Sequence, residues 1–187
     1  MVLPPGLLLL PPLLTPAEAD QELAALVGQT PWEVHSFSIF GRTVPMPRRI
    51  QMYGPHGYRY SGLLHPARPL TPRLEALRAR VQAATGLAFN SVLLNLYRDG
   101  QDSMGWHQDD DYPHGGQPAV ASLSLGATRR FRLRPRGGGP GLSLDLERGS
   151  LLLLSGEALT DWQHAVPRTA RPVGPRLNLT WRHMTGP

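Results

Sequence analysis

Residues 176–182 read RLNLTWR, in which polar and apolar side chains alternate along the whole segment. Because successive side chains of a strand point to opposite faces, this alternation predicts a β-strand with one apolar and one polar face. The polar face carries Arg176, Asn178, Thr180 and Arg182. A plain edge strand with a solvated face would look similar. A second segment, Leu93 to Tyr97, argues against that alternative because Asn95 and Tyr97 again share one face.

Strand patterns recur at short intervals after Gly86, separated by turn residues. They lie at 91–98, 119–125, 129–134, 142–146, 150–154 and 176–182. This succession predicts a mainly β fold with flanking helices (α+β), of the double-stranded β-helix or jelly-roll type. The Gly-rich residues 137–141 are interpreted as a hairpin tip rather than a phosphate cradle, because neither a helix start nor a lysine follows them.

Two helices are predicted before this β region. Thr15, with Pro16 and Glu18 after it, has the form of an N-cap and an acidic first turn, so a helix should run to about Val27 and end at Gly28. Helical periodicity returns over 72–84. The leucines before Thr15 predict a strand, and residues 45–62 predict a surface hairpin. A length of 187 residues favours one domain.

Composition limits the chemistry that the chain can perform. All 19 basic residues are Arg, against 14 acids, which favours an anionic partner, although a GC-rich coding bias would also replace Lys by Arg. The absence of Cys excludes disulfides, thiolate zinc sites and a cysteine nucleophile. The apolar start lacks a basic region and is broken by prolines, so we expect a soluble, intracellular and cytoplasmic protein with no membrane partner.

Three residues form a candidate metal site. His107 and Asp109 are two apart, so on an extended segment both side chains leave the same face. His164 lies far downstream between two strand patterns. Two imidazoles and one carboxylate leave half of an octahedron open, which suits non-haem iron(II). The alternative is that all three are surface polar residues without a metal.

The polar strand faces are suited to a small dicarboxylate such as 2-oxoglutarate. Arg176 and Arg182 are six residues apart on one strand and could hold the two ends of such a molecule. The side chains of Asn95, Tyr97 and Asn178 would supply hydrogen-bond donors. The two strands and the metal residues together predict a complete site.

These motifs resemble the AlkB family of iron(II)- and 2-oxoglutarate-dependent dioxygenases. The resemblance lies in NLYRDGQDSMGWHQDD at 95–110, the distal His164 and RLNLTWR. The segments LLTPAEADQEL, PRRIQMYGPHGYRYSG and ASLSLGATRRF resemble its DNA-repairing branch. The resemblance implies iron(II), 2-oxoglutarate and O2 as cofactors, with catalytic metal ligands at His107, Asp109 and His164. Cofactor binding then falls to Asn95, Tyr97, Arg176, Asn178 and Arg182.

The resemblance also implies a pocket for a flipped base. The base would lie between Tyr60 and His107, with Tyr58 at its edge and Asp111 toward its exocyclic nitrogen. Without the family match, the two tyrosines are ordinary hairpin aromatics and Asp111 belongs to a solvated acidic turn. Phe40 occupies the place of an apolar finger in duplex-acting relatives, although residues 43–46 do not follow their pattern.

Substrate contacts are also expected from arginines. Arg48, in the segment that leads to Tyr60, is expected to bind substrate. The cluster Arg129, Arg130, Arg132 and Arg134 could contact phosphates with little sequence preference.

The resemblance implies a nucleic-acid base demethylase. Its reaction would be oxidative dealkylation of N-alkylated bases such as 1-methyladenine and 3-methylcytosine, for direct repair of alkylated DNA. Alternatives are a 2-oxoglutarate oxygenase acting on RNA, protein or a small molecule, or an inactive nucleic-acid-binding jelly roll. We expect a monomer with one domain over 1–187. Residues 1–85 would hold the N-terminal helices and nucleotide-recognition hairpin, and 86–187 the jelly-roll catalytic core.

Overall fold

The computed structural model describes residues 3–39, 42–60, 63–109 and 118–185. Three helices lie at Pro16–Gln29 (α1), Pro72–Thr85 (α2) and Glu157–Thr160 (α3). The strands are β1 Leu7–Leu10, β2 Ser36–Ile39, β3 Arg42–Pro45, β4 Arg49–Tyr53, β5 Tyr58–Tyr60, β6 Leu63–His65, β7 Ser91–Tyr97, β8 Met104–His107, β9 Ala119–Gly126, β10 Arg129–Pro135, β11 Leu142–Leu146, β12 Leu151–Ser155, β13 Trp162–Val166 and β14 Arg176–Arg182.

Two antiparallel sheets form the body of the fold. The six-stranded sheet has the order β1-β12-β9-β14-β7-β4, and the four-stranded sheet has the order β11-β10-β13-β8. Two hairpins, β2–β3 and β5–β6, stand outside these sheets. The predicted mainly β class with flanking helices is confirmed. The predicted hairpin tip at 137–141 also connects two antiparallel partners, β10 and β11.

The two long helices begin where the sequence predicts. The Thr15 side chain accepts a hydrogen bond from the Glu18 amide, and the Glu18 carboxylate accepts one from the Thr15 amide at 2.7 Å. This reciprocal cap satisfies donors that a helix start leaves without partners. The helix continues to Gln29, one residue past the predicted stop at Gly28. At the end of α2, Gly86 takes a left-handed conformation with φ +70°.

The apolar face of the six-stranded sheet packs against the helices. Leu177, Leu179 and Trp181 of β14 are fully buried there, in one cluster with Leu26 of α1 and Val81 of α2. Burying a leucine or similar side chain contributes roughly 1.5–3 kcal/mol. This packing fixes which face of β14 points away from the helices, and that face carries the polar side chains.

Some local predictions are corrected by the structure. The segment 45–62 is not one surface hairpin, because β4 pairs with β7 as the edge of the six-stranded sheet, and Ile50 and Met52 are buried. The hairpin is instead β5–β6, and it extends to residue 65. His164 lies within a strand, β13, rather than between strand patterns.

The N-terminal part of the chain contributes to the large sheet. The predicted leucine strand is confirmed as β1, which pairs with β12, and β4 forms the opposite edge of the same sheet. The division of one domain at residue 85 stays a prediction. Among the described residues, no helix combines the length and the apolar character needed to cross a membrane.

Candidate active site

The polar face of β14 lies at the centre of a pocket between the two sheets. Strand β14 runs between β7 and β9, and Asn178 is opposite both Asn95 and Ser124. Arg176 is opposite Tyr97, and Thr180 is opposite Ser122. Side chains that are scattered in sequence therefore form one continuous polar surface, because the three strands are in register.

The small sheet brings the predicted metal residues together. Strands β8 and β13 pair so that His107 lies directly opposite His164, with ring centroids 4.2 Å apart. Asp109 follows β8, and its Oδ2 lies 3.5 Å from His164 Nε2, while its Oδ1 lies 4.0 Å from His107 Nε2. One ligand atom from each residue falls within 4.8 Å of the others. This is the spacing at which three side chains can share one ion.

Both imidazoles are held in the form that a metal needs. The His107 Nδ1–H donates to the Gly105 carbonyl at 2.9 Å, which leaves Nε2 with a lone pair directed at the cluster. Burial lowers the pKa of His164 to about 4, although the Asp109 carboxylate opposes this shift. Burial also lowers the pKa of His107. Both rings are therefore neutral near pH 7 and available as ligands.

Asp109 is ionised despite its burial. Desolvation favours the neutral acid, but the charge of Arg182, together with the two histidines, holds the pKa of the Asp109 carboxyl well below its usual range. Arg182 Nη2 donates to Asp109 Oδ1 at 2.7 Å. The sequence did not predict this contact. It fixes one carboxylate oxygen and leaves Oδ2, on the side of His164, to face a metal.

Arg176 fits an anion at the other end of the pocket. It is 1% exposed, and its Nη2 donates to Ser124 Oγ at 3.0 Å. Its Nε and Nη1 are buried without a hydrogen-bond partner among the described residues. Burial lowers the pKa of this guanidinium. A buried cation with unused donors is costly in free energy, and a carboxylate would satisfy both its charge and its donors.

Several other polar residues of the pocket form hydrogen bonds with one another. Asn178 Nδ2 donates to Ser122 Oγ at 2.7 Å, and its Oδ1 accepts from Thr180 Oγ1 at 3.0 Å. Arg48 Nε donates to Asn95 Oδ1 at 2.9 Å. Sequence reasoning assigned no role to Ser122 among these residues. The alternation in ASLSLG could have shown that Ser122 and Ser124 share a face, but not which strand lies beside them.

The structure brings most of the predicted site residues into one pocket. It is lined by the metal candidates His107, Asp109 and His164, the cofactor candidates Asn95, Tyr97, Arg176, Asn178 and Arg182, and the substrate candidate Arg48. Tyr58 and Tyr60 lie on β5. Phe40 and Asp111 lie outside the described residues. The individual roles of all these side chains stay predictions.

The arginine cluster of β10 divides into two groups. Arg130, Arg132 and Arg134 are exposed, and the Arg134 guanidinium lies 4.3 Å from the centre of the Trp106 ring. Arg129 is buried and points inward. The prediction of a phosphate contact is therefore wrong for Arg129, because the strand alternation places it on the opposite face from its three neighbours.

Fold and site together define a class of protein. Two antiparallel sheets enclose a cluster of two histidines and one carboxylate, in which Asp109 and His164 are buried and His107 is half-buried. A buried cation with unused donors lies at the other end of the same pocket. That donor set suits a non-haem iron(II) oxygenase with an organic-acid co-substrate. The family description "2OG-Fe(II) oxygenase superfamily" matches residues 6–182. The chain therefore belongs to the 2OG-Fe(II) oxygenase superfamily.

Named relatives support this assignment. The chain is 38% identical to the mouse alpha-ketoglutarate-dependent dioxygenase alkB homolog 3 over 175 residues, 88% of this chain and 61% of the relative. It is 37% identical to the human DNA oxidative demethylase ALKBH2 over 179 residues, 89% of this chain and 69% of the relative. The solved structure of OsALKBH1 shares the fold with a TM-score of 0.71 at 20% identity, over 98% of this chain and 100% of that one. The predicted jelly roll is confirmed. Because the chain covers more than two thirds of the human ALKBH2 relative, it belongs to the AlkB family, as its motifs predict.

Proposed function

We propose that this chain is an iron(II)- and 2-oxoglutarate-dependent dioxygenase that demethylates N-alkylated bases, such as 1-methyladenine and 3-methylcytosine, in direct DNA repair. The observation that carries the proposal is the pocket between the sheets, where the His107–Asp109–His164 cluster and the unused donors of Arg176 face one space. The chain spans about 61% of its alkB homolog 3 relatives. Among its other relatives are enzymes named DNA oxidative demethylases.

Each part of the cofactor set has residues that fit it. The Nε2 atoms of His107 and His164 and a carboxylate oxygen of Asp109 would hold iron(II). Arg176 would bind the carboxylate of 2-oxoglutarate that is distant from the metal, with Asn95 and Tyr97 beside it, while Asn178 and Arg182 would lie near the keto-acid end. When bound, these cofactors and O2 supply the oxidation of the N-methyl carbon, which then leaves as formaldehyde.

The protein itself would position the methylated base and exclude water from the reacting atoms. Apolar side chains line the pocket between the polar ones, among them Val120, Phe131 and Leu154. They limit the water that can reach the reacting atoms and strengthen the electrostatic contacts inside. Stacking of the base between Tyr60 and His107, with Tyr58 and Asp111 at its edges, would bring the methyl group to the metal.

The charge of the chain suits a nucleic-acid backbone. The formal net charge is +5, and Arg132 and Arg134 are exposed on the outer face of the small sheet beside Trp106. Arginines on such a surface bind phosphates without reading sequence, and aromatic rings between them can stack on bases. We therefore expect substrate affinity to fall as salt concentration rises.

The first test concerns the cofactors. Iron(II) and 2-oxoglutarate are added to the purified protein without oxygen, and the weak visible charge-transfer band of a chelated keto acid is recorded. The band is expected in the parent protein and absent in Asp109→Ala. Asp145→Ala is the matched control, because Asp145 is an exposed carboxylate paired only with Arg130 in the described residues, and it should keep the band. No band in the folded parent protein would favour an inactive binding module.

The second test concerns the substrate. Succinate and formaldehyde release are both measured with oligonucleotides that carry 1-methyladenine or 3-methylcytosine, and with unmodified oligonucleotides as controls. Tyr60→Ala should abolish turnover on methylated DNA while 2-oxoglutarate still decays without coupling. If Tyr60→Ala changes nothing, the pocket accepts another class of molecule. Methylated RNA in parallel distinguishes the two nucleic acids.

The oligomeric state and the cellular location of the protein belong to the same proposal. We expect a monomer in the cytoplasm that does not bind membranes. Light scattering of the purified protein checks the monomer, and fractionation of cells that express the whole protein checks its location.

A further inference from the structure

A buried arginine outside the proposed ligand set connects the segments around the Arg176 end of the pocket. Arg129 opens β10 and is 3% exposed. Its Nη1 donates to the Asp99 carbonyl at 2.9 Å, and its Nη2 donates to the carbonyls of Asp102 at 2.8 Å and Pro167 at 2.7 Å. The first two carbonyls belong to the loop after β7, and the third follows β13. One side chain thus links the segments that follow two of the strands with predicted site residues, β7 and β13.

The positive charge of Arg129 is not cancelled by a direct contact. Its hydrogen bonds go to neutral carbonyls, and it forms no ion pair in the part of the chain that the structure describes. The nearby Asp102 carboxylate is already paired with Arg98, because both of its oxygens accept hydrogen bonds from the Arg98 guanidinium at 2.8 Å. Two carboxylates of this loop, Asp99 and Asp102, still favour the charge at longer range.

Arg129 and Arg176 share one aromatic neighbour. The guanidinium carbon of Arg129 lies 5.7 Å from the centre of the Tyr97 ring, and that of Arg176 lies 5.3 Å from it. Tyr97 is buried and stands opposite Arg176 across β7 and β14. Burial lowers the pKa of both arginines, and the charge of Arg129 adds to this effect on Arg176. Two buried like charges next to one ring favour an anion beside them.

We propose that Arg129 is a positioning residue for the dicarboxylate co-substrate, which holds Tyr97 and adds a second positive charge where Arg176 binds the distant carboxylate. The proposal rests on the proposed function, since it assumes that 2-oxoglutarate binds in this pocket. Arg129 does not touch the co-substrate in this scheme. Its effect is specific to the carboxylate far from the metal, and it leaves the metal ligands unaffected.

If Arg129 only joined these two segments, its replacement would have different consequences for ligand binding. A second contact between the same segments provides a control for this alternative. The Thr169 amide donates to the Gly100 carbonyl at 2.9 Å, so the same two segments also meet without Arg129. A Cβ at Gly100 would lie 2.5 Å from the Thr169 carbonyl oxygen. Gly100→Ala therefore disturbs this junction and keeps every charge.

The experiment compares two ligands in four proteins. The parent protein, Arg129→Gln, Arg129→Lys and Gly100→Ala are loaded with Mn(II), and the dissociation constants for 2-oxoglutarate and 2-oxobutyrate are measured by calorimetry. The second ligand keeps the keto acid and lacks the distant carboxylate. Mn(II) affinity and the thermal unfolding midpoint are measured for each protein.

We expect Arg129→Gln to weaken 2-oxoglutarate binding about tenfold, because a buried unit charge is lost near the carboxylate. Its affinities for 2-oxobutyrate and Mn(II) should remain within about twofold, since neither contacts that end of the pocket. Arg129→Lys keeps the charge but not the three carbonyl contacts, so it should fall between Arg129→Gln and the parent protein. Gly100→Ala should lower the unfolding midpoint and weaken the two ligands equally.

Two results would overturn the inference. One is a folded Arg129→Gln protein with parental affinity for 2-oxoglutarate, and the other is equal loss of both ligands. If Arg129→Gln does not fold, Arg129→Met, which removes the same charge, is judged by the same criteria. Failure of the parent protein to bind 2-oxoglutarate with Mn(II) present would instead refute the proposed function itself, and this inference with it.

Discussion

Replacing Arg182 by Met should destabilise the metal-free protein through Asp109. The two side chains are buried and joined at 2.7 Å, so the substitution leaves a carboxylate without its main cationic partner. Unit charges about 4 Å apart attract by about 4 kcal/mol at an effective dielectric constant of about 20. Removing one partner of a buried pair typically costs about 3–5 kcal/mol. We therefore expect Arg182→Met to lose about 3 kcal/mol of unfolding free energy at pH 8, measured by urea unfolding with EDTA present.

The double variant separates the ion pair from the other contacts of Arg182. Asp109→Asn combined with Arg182→Met removes both charges, so it should recover most of the loss seen in Arg182→Met alone. Arg130→Met is the control, because Arg130 and Asp145 form an exposed pair that should contribute at most about 1 kcal/mol. The reasoning is refuted if Arg182→Met is as stable as this control, or if the double variant is no more stable than Arg182→Met.

Three further predictions concern the frame that supports the site. Glu18→Gln should be less stable than the parent protein above pH 4.5, and the difference should vanish as the pH falls below 2, because hydrogen bonds from Arg80 and Thr15 lower the pKa of Glu18 from 4.5 to about 2 in the folded protein. Equal stability at pH 7 would contradict this. Leu179→Ala should cost about 2–5 kcal/mol in urea unfolding, because Leu179 is fully buried in the helix-facing core; a cost below 1 kcal/mol would mean that the core collapses around the change. Gly126→Ala should destabilise the protein more than Gly86→Ala in thermal unfolding. Both glycines have positive φ, but only at Gly126 would a Cβ meet backbone, the Pro175 carbonyl oxygen at 2.3 Å; the reverse order would refute the clash.

The chemical identity of the site could be read from the sequence because it depends on local patterns. The alternation in RLNLTWR placed Arg176 and Asn178 on one face of a strand, and the structure has that face buried in the pocket. The spacing of His107 and Asp109 required only an extended segment. The start of α1 was equally local, since Thr15 and Glu18 cap each other three residues apart.

The contacts that hold the site depend on strand order, which the sequence does not encode locally. Asp109 and Arg182 are 73 positions apart, and they meet only because the two sheets face each other. Ser122 supports Asn178 because β9 pairs with β14, a partner that no turn signal identifies. The segment with Ile50 was misread for the same reason, because its pairing with β7 bridges a whole helix.

The two sheets contribute groups of different charge to the pocket, and this difference accounts for the two buried arginines of β14. The small sheet supplies His107 and His164, which are neutral when buried, so Asp109 is the only negative charge among the three metal candidates. The large sheet supplies cations at both ends of β14, and Arg182 reaches across to Asp109. A bound dication would replace part of that cationic support, whereas a dicarboxylate would relieve the charge of Arg176. In the proposed site, metal and dicarboxylate would thus compensate opposite charges on opposite sheets.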